Sequence, residues 1–348
     1  MTPSDAPRRK TDSTSVFDGK EVAAQGAGSS ASPDPDGPGP ETGLRSSREE
    51  STAADPTAAT ATSPPAQLWA RMRRSRRVWG FLAILTGFIA FAVIPAVFAT
   101  SEPLRADLAN RLLAPGSAAE GMSHWLGTDQ LGRDVWSRLV YGTRASLIIA
   151  FAAVIGAGLV GSLLGITAGT LRGPVGAIIM RFADMVLSVP FFLLAILTVV
   201  VLGPSLANVV ICLAMVRWPR YTRVAYAQTL EAQGREFVRS AVAVGSPPLW
   251  IIRKHIVPEV IPAVIVVATL ELGLMVLYEA SLSFIGLGVQ PPTPSWGSML
   301  SDGQQYIGTA WWLATFPGLA LFLLVLSVNM LGDFIRDQLD PSERALRS

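Results

Sequence analysis

Runs of mainly apolar residues alternate with shorter polar segments along most of the chain beyond residue 77. A helix that crosses a membrane needs roughly 20 predominantly apolar residues, because it rises about 1.5 Å per residue through about 30 Å of hydrocarbon. Six runs meet or approach this length: 78–99, 145–168, 177–201, 206–227, 259–286 and 310–333. The fourth is the least apolar, since it ends in RWPRYTR, whose three arginines are expected to emerge into water. The pattern predicts an all-α polytopic membrane protein with six transmembrane helices.

Residues 1–70 have a different composition from the rest of the chain. They contain no long apolar run and are rich in Pro, Gly, Ser, Ala, Asp and Thr, as in SSASPDPDGPGPETG at 29–43. Such a segment cannot bury enough apolar surface to offset its ordering entropy. It also lacks the apolar stretch of a cleaved signal peptide. The composition predicts a disordered tail over 1–70, followed by a basic flank and the first transmembrane helix over 71–100.

Basic residues near the ends of the spans predict their orientation. The sequence RMRRSRR at 71–77 precedes the first span and places the N-terminus in the cytoplasm. With six spans, the stretch 228–258 and the C-terminal tail 336–348 then also face the cytoplasm. The segment 101–143 is predicted to be extracytoplasmic, and acidic residues accompany the arginines there.

The stretch EFVRSAVAVGSPPLWIIRKHIVP at 236–258 lies between the fourth and fifth spans and indicates two short helices. The first helix has one apolar face, formed by Phe237, Ala241 and Val244 with Val238 and Val242 beside them. Gly245 suits the left-handed residue after a helix end, and Ser246 followed by Pro247 suits an N-cap and the first helical position. A half-apolar, half-charged surface is typical of a docking helix, and equally of an interfacial helix resting on lipid headgroups.

Residues that carry chemistry are scarce. The chain has no G-x-x-x-x-G-K-[ST] phosphate loop, and its one Gly-Lys pair lies at 19–20. The only histidines, His124 and His255, belong to no H-E-x-x-H motif, and the single cysteine, Cys212, lies in an apolar run as a packing residue. These features disfavour an intramembrane hydrolase, and no filter-like sequence indicates an ion channel. We expect a conducting subunit that holds no metal or cofactor and takes its energy from elsewhere.

Four blocks follow one another within residues 71–342: HWLGTDQLGRDVWSRLVYGTRASL at 124–147, REFVRSAVAVG and IIRKHIVP within 235–258, YEASLSFIGLGVQPPTPSWGSML at 278–300 and NMLGDFIRDQLDP at 329–341. Ala241, Gly245 and Val257-Pro258 match the spacing of the coupling-loop signature Glu-Ala-Ala, three residues, Gly, nine residues, Ile-x-Leu-Pro. Together these blocks resemble the second permease subunit, the C-type branch, of dipeptide and oligopeptide ABC importers.

The sequence departs from that signature at four positions. Arg239-Ser240 replaces Glu-Ala, His255 replaces Ile and Val257 replaces Leu. Glu236, one turn earlier, is the remaining acid on this helix. No salt bridge from position 239 to a partner is therefore inferred, and the expected docking role rests on shape.

The resemblance implies the type I ABC importer fold, with a permease core over 144–335 and a cytoplasmic coupling-helix hairpin within the coupling loop 228–258. It implies half of the translocation pathway for di- or oligopeptides in a bacterial plasma membrane. The implied partners are a sister permease, two cytoplasmic ATPase subunits that bind ATP and Mg, an extracytoplasmic solute-binding protein, the peptide and membrane lipid, but no nucleic acid. Import of a nickel complex or a sugar is the alternative.

The resemblance also assigns roles to individual residues. The expected ATPase-coupling residues are Glu236, Phe237, Arg239, Ala241, Val244, Gly245, Ser246, Pro247, Ile251, His255 and Pro258. The expected binding-protein docking residues are Trp125, Asp129 and Trp296, for which an aromatic belt and loop packing are the alternative.

Ionised side chains within the spans are costly, at about 2.5–3.5 kcal/mol each at mid-bilayer, so they mark buried pairs or aqueous paths. Glu271 and Glu279 lie about 80° apart on one helix and need not share a partner. We expect them, with Ser283, on the translocation path or at the subunit interface, with structural pairing as the alternative. Arg181 and Asp184 are expected to form a local ion pair.

Overall fold

The computed structural model describes residues 76–119 and 122–339. The predicted disordered tail over 1–70 lies outside these ranges, as do residues 340–348 of the predicted C-terminal tail. Within them, the chain is mainly helical.

The elements follow in chain order. The first helices are α1 (Arg76–Val93), α2 (Pro95–Phe98) and a short 3-10 helix (Leu108–Asn110). A two-stranded antiparallel hairpin, β1 (Ser117–Ala119) and β2 (Met122–His124), precedes α3 (Val135–Leu171). The middle of the chain contains α4 (Gly173–Ser188), α5 (Phe191–Leu202), α6 (Leu206–Gly234), α7 (Glu236–Ala243) and α8 (Pro248–Ile251). A π-helical turn (Ile252–Ile256) leads into α9 (Val257–Phe284), which is followed by α10 (Trp296–Gln304) and α11 (Trp312–Leu339).

Three helices of the described chain are long and apolar enough to cross a membrane by themselves: Val135–Leu171, Pro248–Phe284 and Trp312–Asp337. The apolar part of α1, Val78–Val93, is shorter. Helix α6 coincides with the predicted fourth span and carries the three arginines of RWPRYTR. The helices thus occupy the positions of the predicted spans, although not all of them are uniform apolar rods.

The third predicted span, 177–201, is not one continuous helix. Helices α4 and α5 meet at an angle of 93°. Val189 is extended (φ −86°, ψ 129°) and Pro190 follows it as the N-cap of α5. A proline has no N–H to donate and disfavours the α conformation in the residue before it, so the break falls where the sequence has Val-Pro.

Helices α3 and α6 lie against each other over much of their length. The contact uses small residues of α3 four positions apart, which are Ala153, Ala157, Gly161, Gly165 and Gly169. A Cβ on Gly165 would lie 2.5 Å from the Thr222 carbonyl oxygen of α6. The Thr222 hydroxyl donates to the Gly161 carbonyl oxygen at 3.0 Å. Small residues let the two backbones approach, which is a common way of packing helices in membranes.

One tryptophan joins several helices. Trp296, the first residue of α10, is fully buried, and its indole Nε1 donates to the Leu139 carbonyl oxygen of α3 at 3.0 Å. Phe88 of α1 packs edge-on against its ring, with centroids 5.4 Å apart. A hydrogen-bonded, fully packed indole of this kind holds α1, α3 and α10 together.

The second helix of the predicted hairpin is continuous with the fifth span. The segment Pro248–Phe284 forms one 37-residue helix that includes the π-helical turn. Within that turn the Val257 N–H donates to the Ile252 carbonyl oxygen. A wider turn accommodates Pro258, whose ring and missing N–H would otherwise disrupt an α-helical turn. Pro248 and Phe284 are therefore the two ends of one continuous helix.

Candidate functional site

The hairpin between α6 and α9 has a defined turn. Helix α7 ends at Ala243, and Gly245 adopts the left-handed conformation (φ 82°). Its N–H donates to the Val242 carbonyl oxygen at 2.9 Å, and the Ser246 N–H donates to the Ala241 carbonyl oxygen at 3.1 Å. This pair of bonds is a Schellman motif, in which glycine avoids the penalty of a Cβ at positive φ. The predicted role of Gly245 in the turn is confirmed.

The second helix starts one residue later than predicted. Pro247 is the N-cap of α8 and Pro248 is its first residue, and the Ser246 side chain makes no capping bond. The expectation that Ser246 caps the helix with Pro247 at the first position is therefore wrong. The sequence contains two consecutive prolines, and the second fits the first helical position equally well.

The hairpin has its own small apolar core. Val238 of α7 is buried and packs with Ala225 of α6, Ile251 of α8, Ile256 and Val260. The predicted apolar face is thus rotated, because Val238 rather than Phe237 or Val244 points inward. Ile251, expected as a coupling residue, is buried in this core and stabilises the hairpin from within.

Aromatic contacts join the two arms of the hairpin. The imidazole of His255 lies 5.5 Å from the ring of Phe237 and 5.2 Å from the ring of Trp250, measured between centroids. Lys254 Nζ lies 4.5 Å from the centroid of Trp250, at cation–π distance. At its base, Arg235 forms ion pairs with Glu231 at 3.3 Å and Glu259 at 3.2 Å. These contacts make the hairpin a packed unit.

The solvent side of the hairpin is apolar. We define the exposed hairpin face as Phe237, Val242, Val244, Leu249 and Trp250, all of which are exposed. Val244 and Leu249 are exposed to 86% and 76%, which is unusual for apolar side chains so close together. Glu236 and Arg239, both on α7, are also exposed and make no ion pair with any described residue. The face has the chemistry of a protein-docking surface.

A second site lies deeper, between α6 and α9. Arg217 Nε donates to Glu271 Oε2 at 2.8 Å, and Arg217 Nη2 donates to Glu271 Oε1 at 2.6 Å. Arg220 Nη1 lies 3.2 Å from Glu271 Oε1. Glu271 is buried, and Arg217 also lies against the ring of Tyr278. Glu271 thus holds two arginines of the fourth predicted span by one bidentate and one single contact.

Glu279 has no such cation among the residues that the structure describes. It is fully buried, accepting from Ser146 of α3 at 2.7 Å and from Ser283 at 2.8 Å. The Ser283 hydroxyl in turn accepts from the Val289 N–H at 3.2 Å. Glu279 and Ser283 therefore lie inside the subunit, where they link α3, α9 and the following loop. This burial favours the structural alternative over an exposed place on a translocation path or subunit interface.

The expected ion pair of Arg181 with Asp184 is wrong. Asp184 Oδ1 instead accepts from Arg223 Nη2 of α6 at 2.6 Å. The sequence offered a partner on the same helix, but the packing of α4 against α6 places a better one opposite.

The predicted binding-protein docking residues separate into exposed and buried groups. Trp125 is exposed and packs against Trp136 with centroids 5.7 Å apart. Asp129 is buried and paired with Arg133 and Arg138, and Trp296 is buried as described above. Asp129 and Trp296 cannot contact a partner from these positions, so their expected docking role is wrong. Their polar atoms instead fix the segments that contain them to α3.

Comparison with known proteins bears on these sites. A family model described as "Binding-protein-dependent transport system inner membrane component" matches residues 161–345. The dipeptide transport system permease protein DppC of Alkalihalophilus pseudofirmus is 39% identical over 286 residues, which cover 82% of this chain and 92% of that protein. The chain belongs to this family.

Other permeases are also similar. The nickel transport system permease protein NikC of Escherichia coli (strain K12) is 38% identical over 265 residues, which cover 74% of this chain and 94% of that protein. A solved structure described as "Inward facing conformations of the MetNI methionine ABC transporter: CY5 native crystal form" is 24% identical with a TM-score of 0.49, covering 57% of this chain and 95% of that one.

Membership of the binding-protein-dependent permease family confirms the resemblance inferred from the four sequence blocks, and with it the type I importer fold and a role as a transmembrane subunit of an ABC importer. The family match includes the hairpin, Glu271 and Glu279. Among the described residues, no group of three or more His, Cys, Asp or Glu side chains could hold a metal ion.

Sequence reasoning missed two features of this permease. Arg217 and Arg220 were expected to emerge into water, although their spacing on α6 placed them on one side of the helix. His124 and Asp134 form a buried pair at 2.9 Å, and Asp134 also caps α3 through the Ser137 N–H. The Asp at the start of a long apolar run was the available signal for that cap.

Proposed function

We propose that this chain is the second permease subunit of an ATP-driven importer of di- or oligopeptides. It pairs with a sister permease, carries two ATPase subunits on its cytoplasmic side and receives solute from an extracytoplasmic binding protein. ATP and Mg are bound by the ATPase subunits, and this chain holds no cofactor and performs no chemistry of its own. Support for the peptide cargo comes from the sequence blocks and from the dipeptide permease among its relatives.

One observation supports the coupling role: the hairpin has an exposed apolar face, and its second arm is the first part of a helix long enough to cross a membrane. The exposed hairpin face offers Val244 and Leu249 to a partner, while Val238 and His255 fix the two arms together. Helix α8 continues without a break to Phe284. A partner that binds the hairpin therefore moves the fifth span, since a packed lever transmits displacement that a mobile loop would absorb.

The coupling residues have distinct tasks in this mechanism. Phe237, Val244 and the charged Glu236 and Arg239 contact the ATPase groove, while Ala241, Gly245, Ser246 and Pro247 shape the turn. Ile251, His255 and Pro258 connect the hairpin to α9. ATP binding draws the ATPases together and pushes the hairpins, which opens the pathway outward. Hydrolysis returns it to the inward-open state.

Orientation follows from the same proposal. The hairpin and both termini lie in the cytoplasm of a bacterial cell, and the segment with Trp125 faces outward. The arginines before α1 favour this orientation. Labelling of an introduced Leu249→Cys from outside intact cells that lack the ATPase subunits checks it, since the native Cys212 is buried and Leu249 is then uncovered. Labelling only after the cells are opened is expected, and labelling of intact cells contradicts the orientation.

Uptake by the assembled complex tests the function itself. The chain is co-expressed with a candidate sister permease, two candidate ATPase subunits and a candidate binding protein, and the complex is reconstituted in liposomes. ATP-dependent uptake of glycyl-leucine is expected. Uptake of nickel alone would support the alternative that the similarity to NikC raises, and uptake with this chain alone would contradict the subunit role.

A further inference from the structure

One arginine within the predicted fourth span has few partners for its guanidinium N–H groups. Arg220 lies on α6 one turn from Arg217, and its side chain is 57% exposed, whereas that of Arg217 is 12% exposed. The only ion-pair contact of Arg220 within the described chain is the 3.2 Å approach of Nη1 to Glu271 Oε1. It makes no hydrogen bond to any described residue, whereas Arg217 donates to both oxygens of Glu271.

The local charge is unbalanced in favour of the arginines. Glu271 is the single carboxylate that Arg217 and Arg220 share. Asp184 of α4 is paired with Arg223, which lies one turn further along α6 than Arg220. A guanidinium at this depth is costly against lipid, so Arg220 must face water, a solute or a partner protein.

A groove lies further along the same two helices. A cavity of about 610 Å³ between α6 and α9 is lined by Gln228 and Glu231 of α6 and by Val266 and Leu270 of α9, together with the charged Arg235, Glu259 and Arg336, among others. Arg220, Val224, Gln228 and Glu231 follow one another at helical spacing, so they occupy one face of α6. Arg220 is therefore about 12 Å from the level of Gln228 along this face, nearer to the middle of the span.

We propose that Arg220 is a carboxylate-binding residue on the conducting face of this subunit, and that it contacts the C-terminal carboxylate of a peptide in transit. The inference rests on the proposed function, which supplies the peptide. A guanidinium presents a planar fork of N–H donors that matches a carboxylate, and Arg220 has donors to spare. Glu271 fixes the guanidinium in place through one oxygen without occupying those donors. The groove further along α6 then offers both apolar groups, such as Val266 and Leu270, and charged groups, such as Glu259 and Arg336, to the rest of a peptide.

The acid of a sister subunit is the competing partner for the same guanidinium. Such an acid would neutralise Arg220 permanently, and loss of Arg220 would then weaken the complex. A carboxylate in transit would instead leave assembly unchanged and affect only solutes that carry a free C-terminus. The two can be separated by measuring assembly and solute binding on the same preparations.

The test uses the assembled complex in detergent, without binding protein, and two probes, glycyl-leucine and glycyl-leucinamide. Their dissociation constants are measured by saturation-transfer NMR for wild type, Arg220→Gln, Arg220→Lys and Arg181→Gln. Arg181→Gln is a control, because Arg181 is an exposed arginine on α4 and its substitution removes the same charge as Arg220→Gln. Wild type and the control are expected to prefer the free acid by about tenfold, as for loss of a charge-assisted hydrogen bond.

Arg220→Gln is expected to bind both probes equally, and Arg220→Lys to keep part of the preference, with assembly unchanged in both. No preference in wild type, a preference retained by Arg220→Gln, or a preference lost in Arg181→Gln overturns the inference. Dissociation of the Arg220→Gln complex assigns Arg220 to a sister-subunit acid and overturns it as well. A wild-type complex that binds neither dipeptide yet imports one refutes this site alone, whereas failure to import any dipeptide refutes the proposed function.

Discussion

The ring of Phe237 lies 5.5 Å from the imidazole of His255 and thereby joins the two arms of the hairpin. These residues are eighteen positions apart, and the turn at Gly245 brings them together. His255 stands where the family signature has Ile, so the substitution exchanges an aliphatic contact for an aromatic one. The position remains structural, because it links α7 to the helix that continues into the membrane.

The exposed hairpin face should bind the ATPase subunits. Val244→Asp places a charge at the most exposed position of the exposed hairpin face and is expected to weaken ATPase binding by at least about tenfold, because an unpaired charge would be desolvated in the interface. Co-purification of ATPase with the membrane subunits measures this loss. Leu108→Asp is the matched control, since Leu108 is 67% exposed on the predicted outer segment. Equal ATPase recovery in Val244→Asp and wild type would exclude this face as the docking surface.

The bidentate pair of Arg217 with Glu271 should stabilise the membrane bundle. Glu271→Gln leaves two arginines without a counter-charge, and breaking a buried ion pair in this way costs about 3–5 kcal/mol. The midpoint of thermal unfolding, followed by tryptophan fluorescence in detergent, should fall. Adding Arg217→Gln to Glu271→Gln should recover part of the loss. An unchanged midpoint for the single variant would show that the pair is not needed for stability.

Glu279 should act as a structural link between α3 and α9. Glu279→Ala removes the acceptor of the Ser146 and Ser283 hydroxyls, and each buried hydroxyl left unsatisfied costs about 1–3 kcal/mol. Glu279→Gln keeps an acceptor oxygen, and a serine hydroxyl can rotate to accept from its amide, so this variant should be milder. The amount of folded subunit in the membrane should fall in the alanine variant while uptake per folded subunit stays near wild type. A loss of uptake without a loss of folded subunit would instead indicate that Glu279 acts on the translocation path.

Close approach of α3 and α6 should depend on Gly165. An added Cβ there would lie 2.5 Å from the Thr222 carbonyl oxygen and 2.7 Å from the Ala225 Cβ, so Gly165→Ala is expected to destabilise the subunit by about 1–3 kcal/mol. Gly158→Ala on the same helix meets the Tyr221 ring at an ordinary 3.5 Å and serves as the control. Thermal unfolding compares the two variants, and equal midpoints would mean that the helices can separate without cost.

Much of the fold follows from local sequence. Apolar runs located the helices, and Gly245 located the turn, because chain stiffness and the penalty of positive φ are local properties. The bend at Pro190 was equally local and could have been recognised from the Val-Pro pair. Packing partners that are distant in sequence could not be recognised in this way. Trp296 looked like an interfacial anchor in a loop, yet its indole bonds to Leu139, 157 positions earlier.

The candidate sites show the same limit. Exposure of Phe237 and Val244 agreed with a docking helix, but the inward position of Val238 depends on where Ile251 and Ile256 lie. Arg223, not Arg181, pairs with Asp184, because the packing of α4 against α6 decides which cation is near. Pairing across helices has no signature in one sequence.

The most direct test of the account is the ATPase activity of a complex whose α7 has been broken. Val242→Pro removes an N–H inside this helix and clashes with the Val238 carbonyl oxygen, which uncouples the exposed hairpin face from α9. The purified variant complex is expected to remain assembled, but solute and binding protein should no longer stimulate its ATP hydrolysis. Stimulation equal to wild type would contradict the role of the hairpin as the mechanical link.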